Sequence, residues 1–128
     1  MPENSVSEKL LRFIARYVHS VEQLEILCLL VENPSRVWSE TEVFKEIQST
    51  HDSVAANLRS YATHGILVFD DKTGYLFIPG TDELTHLATE LVKTYRERRV
   101  TIIELIYKAP LDPIRHFADA FRIRKDKP

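Results

Sequence analysis

The fold is decided in the middle of the chain by the stretch Ser53-Val54-Ala55-Ala56-Asn57-Leu58-Arg59-Ser60-Tyr61-Ala62-Thr63-His64-Gly65-Ile66-Leu67-Val68. Its first part places apolar residues at helical spacing. Gly65 follows, and glycine is the residue that most readily takes the left-handed conformation at a helix end. The stretch therefore predicts a helix from about His51 to His64 that leads into the β-prone run Ile66–Phe69.

Elements on both sides of this stretch complete a mainly helical pattern. A second β-prone run, Tyr75–Ile78, is joined to the first by the five-residue loop Asp70–Gly74 and predicts a hairpin. Capping-box patterns that start at Ser5, Ser20 and Ser39 predict three earlier helices. The second of these helices is apolar on nearly all sides, so we expect it in the middle of the core.

A long helix is predicted from Asp82 to about Lys108, because no Pro or Gly interrupts this segment. Such a helix would be roughly 40 Å long. A body of this size cannot cover it, so part of its apolar stripe, which includes Ile102 and Ile106, is expected to pack on a second copy in a homodimer. The alternative is a break near Arg98-Arg99 that folds the second half back.

Composition indicates one compact domain. The chain has 128 residues, of which 44% are hydrophobic, and a single Cys excludes an internal disulfide framework. The longest uncharged apolar stretch is too short for a membrane span, and the N-terminus lacks a signal-peptide pattern, so we expect a cytoplasmic protein. Charge is unevenly distributed: residues 1–92 carry 7 Lys and Arg against 14 Asp and Glu, whereas residues 93–128 carry 10 against 5.

The segment 109–128 is predicted to be a basic amphipathic tail. Pro110 and Pro113 frame a short predicted helix in which Ile114, Phe117, Ala118 and Phe121 form an apolar stripe. The candidate partner-binding residues of this tail are Phe117, Phe121, Arg122, Arg124 and Lys125. The tail could pack on its own body or dimer mate, bind a groove on a protein partner or, least favoured, lie on an anionic membrane.

The order helix, helix, short strand, helix, turn, helix, hairpin, long helix resembles the winged helix-turn-helix domain of bacterial regulators of the MarR and PadR kind. The resemblance covers about residues 5–108. It implies that the helix over His51–His64 is the recognition helix, that the helix over Ser39–Gln48 supports it, that the hairpin is the wing and that the terminal helices form a dimer interface. The expected fold is therefore mainly α with a small β-hairpin and a long C-terminal helix.

The leading functional prediction is a small transcriptional regulator that binds double-stranded DNA. Asn side chains can read adenine and Ser side chains several base edges, while Arg and Lys contact phosphates. The candidate DNA-binding residues are Ser53, Asn57, Arg59, Ser60 and Lys72, with further phosphate contacts expected from Arg36 and Lys45. The helix carries one Arg, and the wing tip carries Asp70 and Asp71. The alternative is a protein-interaction module in which the domain is an acidic docking surface and the tail holds the partner.

No motif predicts an enzyme, a metal site or a cofactor. Cys28 lies within an apolar run and is expected to be a core residue. The five His residues lack the short paired spacing of a zinc site. Three scattered Gly residues cannot form a phosphate-binding loop.

Overall fold

A computed structural model of the chain describes residues 6–108. Within these residues the fold is mainly helical, with one small antiparallel hairpin, as the sequence predicts. The elements in chain order are α1 (Glu8–Tyr17), α2 (Val21–Val31), α3 (Glu40–Glu46), α4 (His51–Thr63), β1 (Leu67–Asp70), β2 (Gly74–Phe77), α5 (Asp82–Glu97) and α6 (Arg99–Lys108).

Side-chain caps begin the helices at or near the predicted positions. The Ser20 hydroxyl accepts the Gln23 amide at the start of α2, and Ser39 forms a complete capping box with Glu42 at the start of α3. At α1 the prediction is wrong by two residues, because the capping hydroxyl belongs to Ser7, which accepts the Leu10 amide at 3.1 Å. Each cap satisfies an amide that the first helical turn leaves without a partner.

α4 ends at the predicted glycine. Gly65 has φ +80°, and its amide donates to the Ala62 carbonyl while the Ile66 amide donates to the Tyr61 carbonyl. These two bonds form a Schellman motif, in which a residue of positive φ reverses the chain and satisfies carbonyls at the helix end. The motif directs the chain from α4 immediately into β1.

The hairpin is tighter than predicted. Leu67 pairs with Phe77 and Asp70 pairs with Gly74, so the turn contains only residues 71–73 instead of five. Trp38 forms an isolated antiparallel bridge to Tyr75 on the free side of β2. Gly74 is required here, because its φ is +120° and a Cβ atom would lie 2.2 Å from the Trp38 carbonyl oxygen.

The core is built around α2, as its apolar sequence predicts. Residues of α2 pack against α4, α5 and β2. The fully buried α2 side chains are Leu24, Ile26, Leu27, Cys28 and Leu30. A helix that is apolar on nearly every side must be surrounded by other elements. α1 and α6 contact each other and pack on α5.

The single helix predicted from Asp82 to Lys108 is wrong, and the alternative of a break is confirmed. The chain leaves helical geometry at Arg98, with φ −137° and ψ 61°, and α6 folds back to contact both α1 and α5. Ile102 and Ile106, 0% and 7% exposed, thereby enter the core of the same chain. The length argument for a homodimer therefore no longer holds, and the homodimer stays a prediction.

Polar contacts hold the break in place. Tyr95 donates its hydroxyl proton to Glu25 at 2.5 Å and accepts from Arg99 at 2.7 Å. Burial, with the Glu25 carboxylate adding to it, raises the pKa of Tyr95 to about 12, so the phenol stays protonated and able to donate. The next residue, Arg96, donates two hydrogen bonds of 2.9 and 2.8 Å to the Glu32 carboxylate and connects α5 to the end of α2.

The described residues include no helix long and apolar enough to cross a membrane. The predicted helix over Pro113–Phe121 and the rest of the tail lie outside the described residues.

Candidate binding surface on the fourth helix and the hairpin

The exposed side of α4 forms a ridge along the helix. Its exposed residues include Asp52, Ala56, Arg59 and Thr63, which follow one another at helical spacing. Ser53, Asn57 and Ser60 are only half-buried and lie on the flank of this ridge. Among the candidate DNA-binding residues of the helix, Arg59 alone projects from the exposed ridge.

Polar side chains on that flank donate hydrogen bonds to one carboxylate of α2. Glu22 accepts a hydrogen bond from the hydroxyl of Ser53 and another from the amide of Asn57, both at 2.7 Å, and a third from Ser49. Donors from α4 and the preceding turn therefore converge on one half-buried acid near the start of α2. Such a cluster fixes the position of α4 against α2, since a partly buried carboxylate is costly without its donors.

Asn57 is bonded at both ends of its side-chain amide. Its oxygen accepts from the Gln23 amide at 2.9 Å, while its nitrogen donates to Glu22. Close to this bond, the Tyr61 hydroxyl donates to the backbone carbonyl of Gln23 at 2.8 Å. Ser53 and Asn57, two of the candidate DNA-binding residues, therefore direct their polar groups to α2, and their contact with DNA stays a prediction. The partners are more than 30 positions away in the sequence, so helical periodicity alone could not identify them.

Two of the four cations near α4 and the hairpin lie close to acids. Arg59 lies 3.8 Å from Glu40, and Arg36 lies 3.6 Å from Glu42. The guanidinium of Arg36 also stacks over the Trp38 ring, 3.6 Å from its centroid. Between residues 36 and 80 there are four Lys and Arg against six Asp and Glu. This part of the surface therefore has a net negative charge.

The remaining candidate residues lie at separate points. Ser60 offers its carbonyl to the His64 ring at 2.8 Å, and its side chain is half-buried. Lys72 is exposed in the hairpin turn, where its backbone amide donates to the Asp70 carboxylate at 2.8 Å. Lys45 is exposed on α3. The predicted partner-binding residues Phe117, Phe121, Arg122, Arg124 and Lys125 lie outside the described residues.

The solvent side of the hairpin is apolar, a feature that the sequence analysis did not identify. Val68 and Leu76 are cross-strand partners, and Ile78 continues the same side beyond β2. Val68 is 48% exposed and Ile78 is 52% exposed. The inward side carries Leu67 and Phe77, which are buried. We call Val68, Leu76 and Ile78 the outer hairpin face. The sequence shows that successive hairpin residues point to opposite sides. Only the structure shows that Leu67 and Phe77 are on the buried side, so that the aliphatic residues on the other side remain in solvent.

A cleft of about 310 Å³ lies between the hairpin turn and the start of α3. Its lining includes three acids, one cation and two aromatic residues: Glu40, Asp70, Asp71, Lys72, Phe69 and Tyr75. We call it the acidic cleft. Phe69 is 51% exposed and contacts the Tyr75 ring. Burial raises the pKa of Tyr75, with the Glu40 carboxylate adding to the effect. The cleft thus combines negative charge with an aromatic wall, which suits a cationic side chain.

The core contains one buried thiol. Cys28 is 1% exposed, and burial raises its pKa to about 12, so the thiol stays protonated near neutral pH. Among residues 6–108, no three His, Cys, Asp or Glu side chains are placed to hold a metal ion.

No family model, curated protein or solved structure matches the chain. Its function is therefore inferred from its own residues and their contacts.

Proposed function

We propose that the chain is a winged-helix domain that docks on a protein partner through the outer hairpin face and the acidic cleft. The order α2, Trp38 bridge, α3, α4 and hairpin supports the winged-helix interpretation. In that interpretation α4 corresponds to the recognition helix of MarR- and PadR-like regulators, and the hairpin corresponds to the wing.

The exposed aliphatic residues of the hairpin carry the proposal. An antiparallel sheet with one face in solvent normally alternates apolar inward with polar outward residues. Here Val68, Leu76 and Ile78 occupy the outward positions, and Val68 and Ile78 are about half exposed. Covering aliphatic side chains of this size is worth about 25 cal/mol per Å² of buried apolar area. A partner that covers this face therefore gains affinity from surface that the domain itself leaves in water.

The chemistry of the surface describes the partner. Aliphatic or aromatic residues would contact the outer hairpin face, and a Lys or Arg would enter the acidic cleft beside Phe69. A guanidinium there would meet carboxylates of Glu40, Asp70 or Asp71 and the face of an aromatic ring. The expected partner segment is thus apolar and basic.

The same charges oppose binding to duplex DNA. Affinity for DNA depends strongly on cations that displace counterions at phosphates. Residues 36–80 carry more acids than cations, and Asn57 is already bonded to α2. DNA binding nevertheless stays a second candidate for one reason: the Arg59 side chain is 63% exposed. An exposed ion pair such as that with Glu40 is worth only about 0–1 kcal/mol, so Arg59 could exchange it for a phosphate.

Photo-crosslinking in the source cells tests the proposal. Benzoylphenylalanine at position 68 should give an adduct with one protein, whereas the same group at Thr89, exposed on α5, should not. The adduct is identified and the pair is then reconstituted. Ile78→Lys should weaken its binding at least tenfold, and the matched control Thr89→Lys should leave it unchanged. Equal effects of the two Lys variants would contradict the proposal.

Fluorescence anisotropy with genomic duplex fragments at 50 mM salt tests the second candidate function, DNA binding. We expect no saturable binding. A salt-sensitive Kd below about 10 µM that Arg59→Gln abolishes would favour the DNA-binding function, since non-specific DNA affinity is of this order even at physiological salt.

A further inference from the structure

We propose that a groove between α1 and α5 binds an acidic, apolar segment of a protein partner. The groove has a volume of about 240 Å³, and its lining lies between positions 9 and 17 of α1 and between positions 83 and 87 of α5. We call it the α1–α5 groove. It shares no lining residue with the outer hairpin face or the acidic cleft, so it is a second binding surface beyond the proposed function.

Cations dominate the charge of the groove. Its lining includes Lys9, Arg12 and Arg16, and Glu83 is the one acid among the lining residues that the structure describes. The three cations lie on one side of α1, because they are three and four positions apart. Residues 6–108 as a whole carry 12 Lys and Arg against 15 Asp and Glu. The groove is therefore a basic region on an acidic body, and its charge favours an acidic partner.

The chain's own acids hold these cations only weakly. Lys9 lies 3.3 Å from Glu83, and the two side chains are 72% and 64% exposed. Arg12 pairs with Glu8 at 3.3 Å in a similarly exposed position. Exposed pairs of this kind are worth only about 0–1 kcal/mol. A carboxylate of a partner can therefore replace either acid at little cost.

Arg16 is the cation best placed for an external carboxylate. Its guanidinium lies over the Tyr17 ring, 5.7 Å from the centroid. None of the ion pairs within residues 6–108 includes Arg16. An acid that binds here therefore has no internal partner to displace.

The floor of the groove is apolar. Phe13 is buried and contacts the half-buried Tyr17 ring, with the centroids 5.1 Å apart. Leu84 and Leu87 supply the α5 side and are half-buried. An aliphatic or aromatic side chain of the partner would cover this floor, while carboxylates next to it in the partner sequence would meet the cations.

The size and chemistry of the groove favour a protein segment over other anions. Pockets that enclose small molecules usually have volumes of about 300–1,000 Å³, so the α1–α5 groove is suited to one or two side chains rather than to a whole ligand. A nucleic acid would offer phosphates to the cations and leave the apolar floor without a contact. An acidic, apolar peptide contacts both parts of the groove.

Selection from a peptide library on the full-length chain tests the inference. The library consists of random short peptides built from Asp, Glu, Leu, Phe, Ser and Gly. We expect the selected peptides to contain carboxylates next to Leu or Phe. When a selected peptide is titrated into the isotope-labelled chain, the amide signals of residues 9–17 and 83–87 should shift, and those of residues 68–78 should not.

Two double variants give the matched comparison, with the Kd of the selected peptides measured by fluorescence anisotropy. Arg12→Glu with Arg16→Glu should weaken binding at least tenfold. Lys93→Glu with Lys108→Glu changes the net charge equally at exposed cations outside the groove, and it should weaken binding less than twofold. Exchange of the peptide's acids for amides, or of its Leu and Phe for Ser, should each weaken binding at least tenfold. Circular dichroism shows that each variant remains folded.

Several results would overturn the inference. One is that no peptide is selected, and another is that both double variants weaken binding equally. Saturable binding of phosphatidylserine vesicles or of duplex DNA that Arg12→Glu with Arg16→Glu abolishes, without peptide binding, would assign the groove to a lipid or a nucleic acid instead. The hairpin variant Ile78→Lys should leave the Kd of the peptides unchanged, so the two surfaces are tested separately.

Discussion

Asn57 provides the sharpest test of how the structure assigns the polar side chains of α4. If its amide joins α4 to α2, Asn57→Ala removes one bond to the Glu22 carboxylate and one from the Gln23 amide. A bond to a charged group is worth about 1.5–3 kcal/mol and a neutral one about 0.5–1.5 kcal/mol. Water can replace part of this at a half-buried site, so we expect a loss of about 2 kcal/mol in the free energy of unfolding.

Urea unfolding followed by circular dichroism measures this loss, and the melting temperature should fall by roughly 6–12 °C for a domain of this size. Thr63→Ala is the matched control, because Thr63 is exposed on the same helix. We expect that variant to stay within about 0.5 kcal/mol of the wild type, since Ala favours a helix. Asn57→Asp should cost more than Asn57→Ala at pH 7, because it sets a second carboxylate against Glu22.

A double-mutant cycle of Asn57→Ala with Glu22→Ala should give a coupling energy of about 1–2 kcal/mol, because the two residues share a bond. An Asn57→Ala variant as stable as the Thr63→Ala control, with no coupling to Glu22, would refute the reasoning. Asn57 would then be free for an external ligand, and base reading by α4 would regain support.

Two further predictions concern α5 and α6. Ile102→Asp should unfold the chain rather than dissociate a dimer, because Ile102 is 0% exposed. The control Val100→Asp should change the melting temperature little, because Val100 is 67% exposed. Equal effects of the two variants would contradict the fold-back of α6. Hydrogen bonds from Arg96 hold the pKa of Glu32 below its ordinary value of 4.5. The stabilisation from this pair is therefore complete above about that pH and is lost as pH falls through the lowered pKa. In urea titrations, Glu32→Gln should be at most about 1 kcal/mol less stable than the wild type at pH 7, and this deficit should shrink as the pH falls below 4.5. A deficit that stays constant over this range would show that the ion pair is not its cause.

Local signals in the sequence determined most element positions. Helix caps at Ser20 and Ser39 and the positive-φ turn at Gly65 involve only residues within four or five positions. Such short-range interactions can be predicted from the sequence without knowledge of the fold. The apolar run of α2 similarly placed that helix in the core, because hydrophobic burial depends on composition more than on a specific partner.

Long-range packing decided the rest. The break at Arg98 has no Pro or Gly to announce it, and it forms because folding α6 back buries Ile102 and Ile106 and brings Arg99 to Tyr95. The direction of Asn57 depends on Glu22, a residue 35 positions away. Local sequence signals are thus enough to predict a mainly helical chain with one hairpin. Which polar groups bond internally and which aliphatic residues remain in water depends on contacts between distant segments, and these follow only from the packed fold.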